Sequence, residues 1–334
     1  MAVTIRDVAE HAGVSVATAS RVLTGSRNVS PVLAQRVNDA ARALGYRHNA
    51  VASALRRGRT NTVGMIVPEI ENPFFPAIVE AVERRLQGSG RDLFLCDAQQ
   101  DVAIERHRAR ALANRQVDGL IIVPVSSTAS RATLVEVTER TPVVQVDRYV
   151  QEYPADWVGV DDQHGISLAV EHVMALGATR VAFVSAALES SSAQARHAGF
   201  ERMIERNGLP HDTPRLLGTF RAEWGRAAAI ELLAHPPMPD AVVCGNDEIA
   251  VGVLGEFRRK RVRVPEDVLV TGFDDIRFAQ LADPPLTTVR QPGDQLAAEC
   301  IRLLDARMAD RDTPIQRVAI APSLVIREST GGSS

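Results

Sequence analysis

The sequence predicts an N-terminal all-α helix-turn-helix head followed by a two-lobed α/β body with parallel sheets. Short helical patterns separated by Gly and Ser fill the first 45 residues, and β-rich runs alternate with helical stretches from residue 62 onward. The sign of the net charge changes near the same point, at about residue 60. The first 60 residues hold nine Arg and three acids, which leaves 29 basic and 38 acidic residues elsewhere, so the head carries about +6 and the body about −9. A basic head suggests a polyanionic partner.

Composition sets further limits on the class of protein. With 334 residues, 45% of them hydrophobic, the chain can build a small and a larger core. Cys96, Cys244 and Cys300 are widely spaced and lack metal-ligand spacing, which argues against a disulfide framework and against a metal site. The N-terminus shows no apolar signal segment and no run is long enough to cross a bilayer. We therefore expect a cytoplasmic protein with no membrane partner.

The first helix of the head is predicted from a cap and an apolar face. Thr4 is suited to cap a helix that ends at Gly13, a residue that tolerates positive φ. The residues expected to face inward are Ile5, Val8, Ala9 and Ala12.

Two more helices follow at short intervals. Ser15 caps the second helix, in which Ala19, Val22 and Leu23 face inward and a small outward face is left to enter a groove. Ser30 then caps a third helix that begins at Pro31 and is closed by Gly45. This arrangement has the geometry of a helix-turn-helix, whose second helix lies in the major groove of DNA.

The runs Thr4-Ile5-Arg6-Asp7-Val8-Ala9 and Gly13-Val14-Ser15-Val16-Ala17-Thr18-Ala19-Ser20-Arg21-Val22-Leu23 resemble the head of the lactose/galactose repressor (LacI/GalR) family of transcription regulators. The resemblance implies that Val16, Ala17 and Arg21 read base edges. It implies phosphate contacts for Thr4, Thr18, Ser20, Asn28 and Ser30. Further DNA contacts are expected at Ser15 and Tyr46. Arg21 can make a bidentate contact with guanine, whereas Val16 and Ala17 offer only apolar contact, for which thymine methyls are suited.

Residues 48–60 resemble the hinge helix of this family. The stretch is helix-prone but only about two turns long, too short to be stable alone in water. The resemblance implies that it forms on operator DNA and that Leu55 wedges into the minor groove, with Asn49, Ala52 and Arg56 as further contacts. The alternative is a flexible basic linker. His48 departs from the proline usual in the family.

The body is predicted to hold two parallel α/β lobes. The β-rich runs are residues 63–67, 119–123, 143–146, 181–185, 241–244 and 268–271. The predicted domains are residues 1–47, 48–60 and 61–330. The two lobes are predicted from about 61–160 plus 292–322 and from about 161–291. Polar pairs such as Asp147-Arg148 and Asp274-Asp275 follow these runs, where the carboxyl ends of strands line a cleft.

The body also resembles the periplasmic-binding-protein-like fold of the same family. This resemblance implies an effector pocket lined by Phe74, Phe75, Asp147, Arg148, Ser190, Ser192, Arg196, Phe220, Asn246 and Asp274. Carboxylates and an Arg fork suit a sugar or sugar derivative, which we expect as the effector, although two aromatic rings and an Asp also suit a nucleobase or nucleoside. The resemblance does not decide whether the effector promotes or releases DNA binding.

The sequence holds no constellation for catalysis. No GxGxxG follows the first strand, no GxSxG or HExxH motif occurs, and the eight His are scattered, so we expect no catalytic residues and no cofactor. The competing interpretation is a solute-binding receptor without gene regulation, in which the basic head would have no role. Two heads are needed to read a pseudo-palindromic operator, so the expected partners are double-stranded DNA, a small effector and a second copy in a homodimer.

Overall fold

The computed structural model describes residues 3–23, 29–46 and 59–332. Contacts between residues divide the chain into two compact units, Met1–Thr60 and Asn61–Ser334. The first unit is helical and the second holds two β-sheets with helices on their faces, so the predicted fold class is confirmed.

The described part of the head contains three helices. They are α1 (Ile5–Ala12), α2 (Val16–Leu23) and α3 (Pro31–Ala43). Their small core is built from Val8, Ala9, Ala12, Ala19, Val37, Ala40 and Ala41. Small side chains at these positions let short helices approach closely.

The predicted helix ends in the head are confirmed. Thr4 caps α1: its backbone N–H donates to Asp7 Oδ2 (2.7 Å), and its hydroxyl accepts the Asp7 N–H (3.5 Å). Gly13 ends α1 with φ +61°, and a Cβ there would lie 2.8 Å from Arg36 Nη2, which donates to the Ala12 carbonyl (2.6 Å). Gly13 therefore serves both the left-handed turn and the Arg36 contact.

The described body contains eight α-helices. They are α4 (Phe74–Gly88), α5 (Val102–Asn114), α6 (Arg131–Thr138), α7 (Asp162–Ala175), α8 (Ser191–Asn207), α9 (Ala222–Ala234), α10 (Asp247–Arg259) and α11 (Gly293–Ala309). Two 3₁₀ turns occur at Ala279–Leu281 and Glu328–Thr330.

Twelve strands form two six-stranded sheets in residues 59–332. They are β1 (Thr62–Val67), β2 (Asp92–Asp97), β3 (Gly119–Ile122), β4 (Val143–Val146), β5 (Asp156–Val160), β6 (Val181–Ala186), β7 (Arg215–Gly218), β8 (Ala241–Cys244), β9 (Leu269–Asp274), β10 (Thr287–Arg290), β11 (Arg317–Ile320) and β12 (Ser323–Val325). The first sheet has the order β11-β5-β4-β3-β1-β2 and is parallel throughout. The second has the order β12-β10-β9-β8-β6-β7, in which only β12 runs antiparallel. Their inner strands are fully buried apolar runs because helices cover both faces.

The chain passes between the two sheets three times. The crossings lie between β5 and α7, between β10 and α11, and between β11 and β12, since α7 packs on the second sheet and α11 packs on the first. We call the parts around the first and second sheets the first and second lobes. Three short connections join them, so a change in the angle between the lobes needs only a few residues to move.

Candidate functional site

A cluster of buried polar side chains lies where the strands of both sheets end. The loops after β1, β4, β6, β7 and β8 and the last residue of β9 meet there, as expected for the carboxyl ends of parallel strands. Together they surround a small, closely packed cavity, the inner cavity. It is lined by Asn72, Phe74, Phe75, Asp147, Arg148, Ser192, Arg196, Phe220, Asn246 and Asp274.

The first lobe contributes an aromatic wall at the start of α4. The side chain of Asn72 accepts a hydrogen bond from the Phe74 N–H (3.0 Å), which fixes the turn between β1 and the helix. The rings of Phe74 and Phe75 then meet edge to face, with centroids 5.2 Å apart. Both rings are buried, so they present a firm apolar surface to a ligand.

Asp147 and Arg148 follow β4 on an unusual piece of backbone. Asp147 has φ +62°, a conformation that costs energy in a residue with a side chain, and the Trp157 indole N–H holds it by donating to the Asp147 carbonyl (3.1 Å). Gly159 makes room for that indole, because a Cβ there would lie 2.3 Å from the Trp157 ring. The Arg148 guanidinium lies 5.5 Å from the ring centres of both Phe75 and Phe220.

Arg196 on α8 is the centre of the second lobe's contribution. Its Nε donates to Asp162 Oδ1 (2.7 Å) and its Nη1 donates to the Gly245 carbonyl (2.7 Å), while Nη2 lies 3.6 Å from Asp274 Oδ1. The guanidinium also stacks on Phe273, 3.7 Å from the ring centre. A planar fork with several donors suits such a position better than an ammonium group would.

Burial controls the charges in this cluster. It raises the pKa of Asp274 to about 7 and that of Asp162 to about 6, although Arg196 opposes both changes. Burial likewise raises the pKa of Asp147 and lowers that of Arg148. Burial alone would lower the pKa of Arg196, but the carboxylates of Asp162, Asp274 and Asp147 outweigh it and raise that pKa. The carboxylates and guanidinium groups therefore depend on one another in the absence of ligand.

Several polar atoms in and beside the inner cavity have no hydrogen-bond partner within the described residues. They are Asp147 Oδ1, Arg148 Nε and Gln291 Oε1. The other end of the Gln291 amide donates to Asp274 Oδ1 (2.7 Å). Buried polar groups that are left unpaired are unfavourable, so this site offers both acceptors and a donor to a bound molecule.

The structure brings nine of the ten predicted effector residues together around the inner cavity. Ser190 is the exception. Its hydroxyl caps α8 by accepting the Ala193 N–H (3.2 Å), and it lines a larger neighbouring cavity, the outer cavity, that also reaches Glu69 and Arg221. The predicted set omitted Asn72, Asp162 and Gln291. Asp162 and Asn72 stand in motifs visible in the sequence, but only the folded chain places them beside Arg196 and Phe74.

The predicted DNA-contacting residues of the head lie on or beside its three helices. Val16, Ala17 and Arg21 lie exposed on α2. Ser15 begins that helix, accepting the Thr18 N–H (3.1 Å), while Ser30 caps α3 through the Leu33 N–H (3.4 Å). Thr4 caps α1, and Ser20 and Tyr46 are partly buried. The remaining predicted contacts, Asn28, Asn49, Ala52, Leu55 and Arg56, lie outside the described residues.

Two classes of site do not occur in the part of the chain that the structure describes. No group of three or more His, Cys, Asp or Glu side chains is arranged to hold a metal ion. No helix there combines the length and the apolar character needed to cross a membrane.

A helix-turn-helix head and a two-lobed α/β body with a polar cleft, carried on one chain, define the class of ligand-responsive transcriptional regulators. Comparisons with known proteins agree. Residues 4–49 match the family model "Bacterial regulatory proteins, lacI family", and residues 170–330 match "Periplasmic binding protein-like domain".

Curated relatives match almost the whole chain. It is 33% identical to the HTH-type transcriptional repressor PurR of Mannheimia succiniciproducens, covering 98% of each chain. It is 32% identical to the ribose operon repressor of Escherichia coli, covering 98% of this chain and 99% of that repressor. The protein therefore belongs to the LacI family of bacterial regulatory proteins.

Solved structures support the same assignment. The lac repressor dimer bound to operator and the anti-inducer ONPF is similar with a TM-score of 0.87 at 28% identity, covering 99% of both chains. A LacI family regulator from Enterococcus faecium with bound ribose is similar with a TM-score of 0.72 at 28% identity, covering 82% of this chain and all of that one.

Proposed function

We propose that this regulator is a repressor of transcription whose affinity for operator DNA is controlled by a neutral sugar or sugar derivative bound in the inner cavity. The observation that carries the proposal is the meeting of two buried arginines, Arg148 and Arg196, with buried carboxylates beneath aromatic rings. Residues 1–47 would read DNA, residues 48–60 would form the hinge, and residues 61–330 would bind the effector and the second subunit.

The donor and acceptor pattern of the cavity favours a polyol. Each sugar hydroxyl can donate to a carboxylate such as Asp147 or Asp274 and accept from a guanidinium such as Arg148, so one molecule can satisfy both kinds of partner. The rings of Phe74, Phe75 and Phe220 offer apolar faces for the C–H side of a sugar. A similar LacI family regulator from Enterococcus faecium was solved with bound ribose, which favours a monosaccharide.

The charges of the cavity favour a neutral ligand over a sugar phosphate or sugar acid. Three buried carboxyl groups, Asp147, Asp162 and Asp274, face two guanidinium groups, so an added anion would meet more acidic than basic side chains. The competing effector is a purine or nucleoside, because one similar repressor is named PurR. Phe74 and Phe75 meet edge to face rather than as parallel plates, an arrangement less suited to holding a flat base between them.

DNA recognition is proposed to rest on α2. Val16 and Ala17 would contact thymine methyls, and Arg21 would contact guanine. DNA phosphates would be contacted by Thr4, Thr18, Ser20, Asn28 and Ser30, with further DNA contacts from Ser15 and Tyr46. In the hinge, Leu55 would enter the minor groove, with Asn49, Ala52 and Arg56 beside it. A homodimer would place two heads on a pseudo-palindromic operator.

The body offers apolar surface for such a dimer. The edge strand β2 exposes Phe94 (45%) and Leu95 (37%), and the turn region near Ala279–Leu281 exposes Phe278 and Leu281. An edge strand that exposes apolar side chains can pair with another chain. The lac repressor structure similar to this chain is a dimer on its operator. We propose a dimer, and a stable tetramer in sedimentation would contradict it.

Roles as an enzyme or as an exported receptor are not proposed. The relatives are named as transcriptional repressors, and a basic head suits a polyanionic partner such as DNA. We infer a cytoplasmic regulator that needs no cofactor.

A thermal-shift panel of neutral sugars, sugar acids, sugar phosphates, nucleosides and purines tests the effector class. A ligand that binds the folded state raises the melting temperature, by an amount that grows with its concentration relative to Kd. We expect a shift with a neutral monosaccharide, with D-ribose as the first probe, and none with sugar phosphates. A shift with purines alone would replace the sugar by the competing effector.

An operator-binding assay with and without the active compound then separates induction from corepression. Specific DNA binding should be absent from residues 62–334 alone, whereas ligand binding should persist there. Operator binding by that body alone would contradict the division of roles.

A further inference from the structure

An ion-pair cluster joins the two lobes at the outer cavity. Arg221, which immediately precedes α9 in the second lobe, reaches Glu69 and Glu71 in the loop after β1 of the first lobe. Its Nη2 lies 2.5 Å from Glu69 Oε2 and its Nη1 lies 2.6 Å from Glu71 Oε2. One guanidinium therefore holds two carboxylates of the opposite lobe in a fork geometry.

Glu69 is the buried member of this cluster. The residue is only 3% exposed, and its second carboxylate oxygen accepts from Gln100 Nε2 (2.8 Å). Glu71, in contrast, has a side chain that is 74% exposed. Because Arg221 is the cation bonded to the buried carboxylate, separating the lobes would remove the charged partner of Glu69.

The cluster lies next to the inner cavity without lining it. Glu69, Glu71 and Arg221 line the outer cavity, which shares Arg148 and Phe220 with the inner one. Phe220 directly precedes Arg221, and its ring faces the guanidinium groups of both Arg148 and Arg196. Movement of Arg221 away from Glu69 would thus move the aromatic wall of the ligand site as well.

Besides the Arg148–Phe220 contact, the lobes are joined by uncharged hydrogen bonds. The Ser127 N–H donates to the Glu189 carbonyl (2.8 Å), and the Tyr149 N–H donates to Ser191 Oγ (2.9 Å). Charge-assisted hydrogen bonds are about twice as strong as neutral ones, so the Arg221 contacts are the strongest of the side-chain links described here.

We propose that Arg221, Glu69 and Glu71 form a latch that holds the two lobes closed over the inner cavity and sets how long the effector stays bound, without touching it. The proposal rests on the effector site proposed above. It assigns Arg221 as a positioning residue: its loss should speed release of ligand and leave ligand preference unchanged.

Hydrogen exchange in the ligand-free, full-length protein tests the latch directly. The Ser127 and Tyr149 amides bond across the cleft, so their exchange rates report opening of the lobes. In Arg221→Gln we expect about tenfold faster exchange at these two amides, the factor that corresponds to loss of one charge-assisted hydrogen bond. Amides in the central strands β4 and β8 should keep their protection.

Arg226→Gln is the matched control. Arg226 is similarly exposed and its Nε lies 3.2 Å from Glu256 Oε2, but both residues belong to the second lobe. Exchange at Ser127 and Tyr149 should be unchanged in this variant, and Glu71→Gln should show a smaller increase than Arg221→Gln. Unchanged exchange in Arg221→Gln overturns the latch, and so does an equal increase in both arginine variants.

A second measurement uses D-ribose as the probe. If the wild type binds it, Arg221→Gln should release it about tenfold faster with little change in the association rate. An unchanged release rate overturns the role assigned to the latch. If no sugar binds the wild type, the proposed effector class fails, while the exchange experiment still decides whether the latch exists.

Discussion

The head and the ligand site use their functional side chains in opposite ways. On α2 the residues proposed to read bases point outward, with Val16 42% exposed, and the core beneath them consists of small apolar side chains. In the inner cavity the functional side chains are buried, with Arg196 only 3% exposed, and each serves as partner of another.

On the exposed face of α2, function and stability therefore depend on different side chains. In the inner cavity they depend on the same ones. A side chain that meets its target only on the outside of a helix can change with little effect on folding. A buried charge that is paired with other buried charges cannot, because removing one leaves the others uncompensated. Substitutions of comparable size in the two regions should therefore give different combinations of lost binding and lost stability.

Arg196→Ala should produce the largest effect, because it leaves Asp162 and Asp274 buried without their cation. We expect a loss of about 3–5 kcal/mol in the free energy of unfolding. We also expect affinity for the sugar that shifts the melting temperature to fall about 100-fold or more. Denaturant unfolding and calorimetric titration measure the two quantities.

Arg215→Ala is the control for that prediction. Arg215 also pairs with a carboxylate of the second lobe, Glu201 (2.8 Å), and lies over the Phe200 ring, but it is outside the inner cavity. It should cost less stability and leave ligand affinity unchanged. If Arg196→Ala lost binding while keeping full stability, the coupling inferred for the cleft would be wrong.

Arg21→Ala should give the opposite combination in the head. Loss of a bidentate base contact removes about 1–3 kcal/mol of discrimination between operator and other DNA. Salt-sensitive nonspecific binding should remain. The free energy of unfolding of the head should change by no more than about 0.5 kcal/mol. Titrations of operator and scrambled DNA at two salt concentrations check this, and an unchanged operator preference would refute the role of Arg21.

The same contrast explains which parts of the fold could be predicted from the sequence. The buried strands β4 and β8 appear as short apolar runs and were identifiable without a structure. The edge strand β2 (Asp92–Asp97) carries acids at both ends and is partly exposed, and the edge strand β7 is also only half-buried. A strand covered on one side lacks the continuous apolar run that marks a central one, so local pattern alone did not indicate it.

The site was predictable to the extent that motifs carry it. Family resemblance predicted Asn246 and Asp274, and both line the inner cavity. Gln291 was not predicted, because its bond to Asp274 forms only when the ends of β9 and β10 come together in the fold. Ser190, which was also predicted, caps α8 with its hydroxyl and lines the outer cavity instead. The order of strands and loops along the sequence indicates which loops meet at the site. The hydrogen-bond partner of each side chain can be read only from the folded structure.

The pH dependence of stability should also differ in sign between the two regions. The pKa values of Asp274, about 7, and Asp162, about 6, lie above the roughly 3.9 of an unfolded Asp, so these two groups bind more protons in the folded body than in the unfolded chain between about pH 4 and 7. Their contribution to ligand-free stability should fall as pH rises through that window, by at most about 1.4 kcal/mol per pH unit for each group. In the head, hydrogen bonds to Thr4 lower the pKa of Asp7, so that contribution is present above about pH 4 and lost in stronger acid.

Asp274→Asn isolates the body's part of this behaviour. Denaturant midpoints measured at several values between pH 5 and 8 should vary less in this variant than in the wild type. An identical slope in the two proteins would show that Asp274 does not titrate in this window.

Thr4 offers the smallest effect and the finest test, since it combines a helix-capping role with a proposed DNA-binding role, as Ser15 and Ser30 also do. Thr4→Ala should remove the cap of α1 and cost about 1 kcal/mol, whereas Thr4→Gly should cost only a few tenths of that because Gly is tolerated at this position. If the hydroxyl also holds a phosphate, both variants should weaken binding to operator and scrambled DNA alike, since phosphate contacts carry no sequence information. If only Thr4→Ala weakens binding, Thr4 acts on DNA through the stability of α1, and function and stability would be coupled at this helix end as they are in the ligand site.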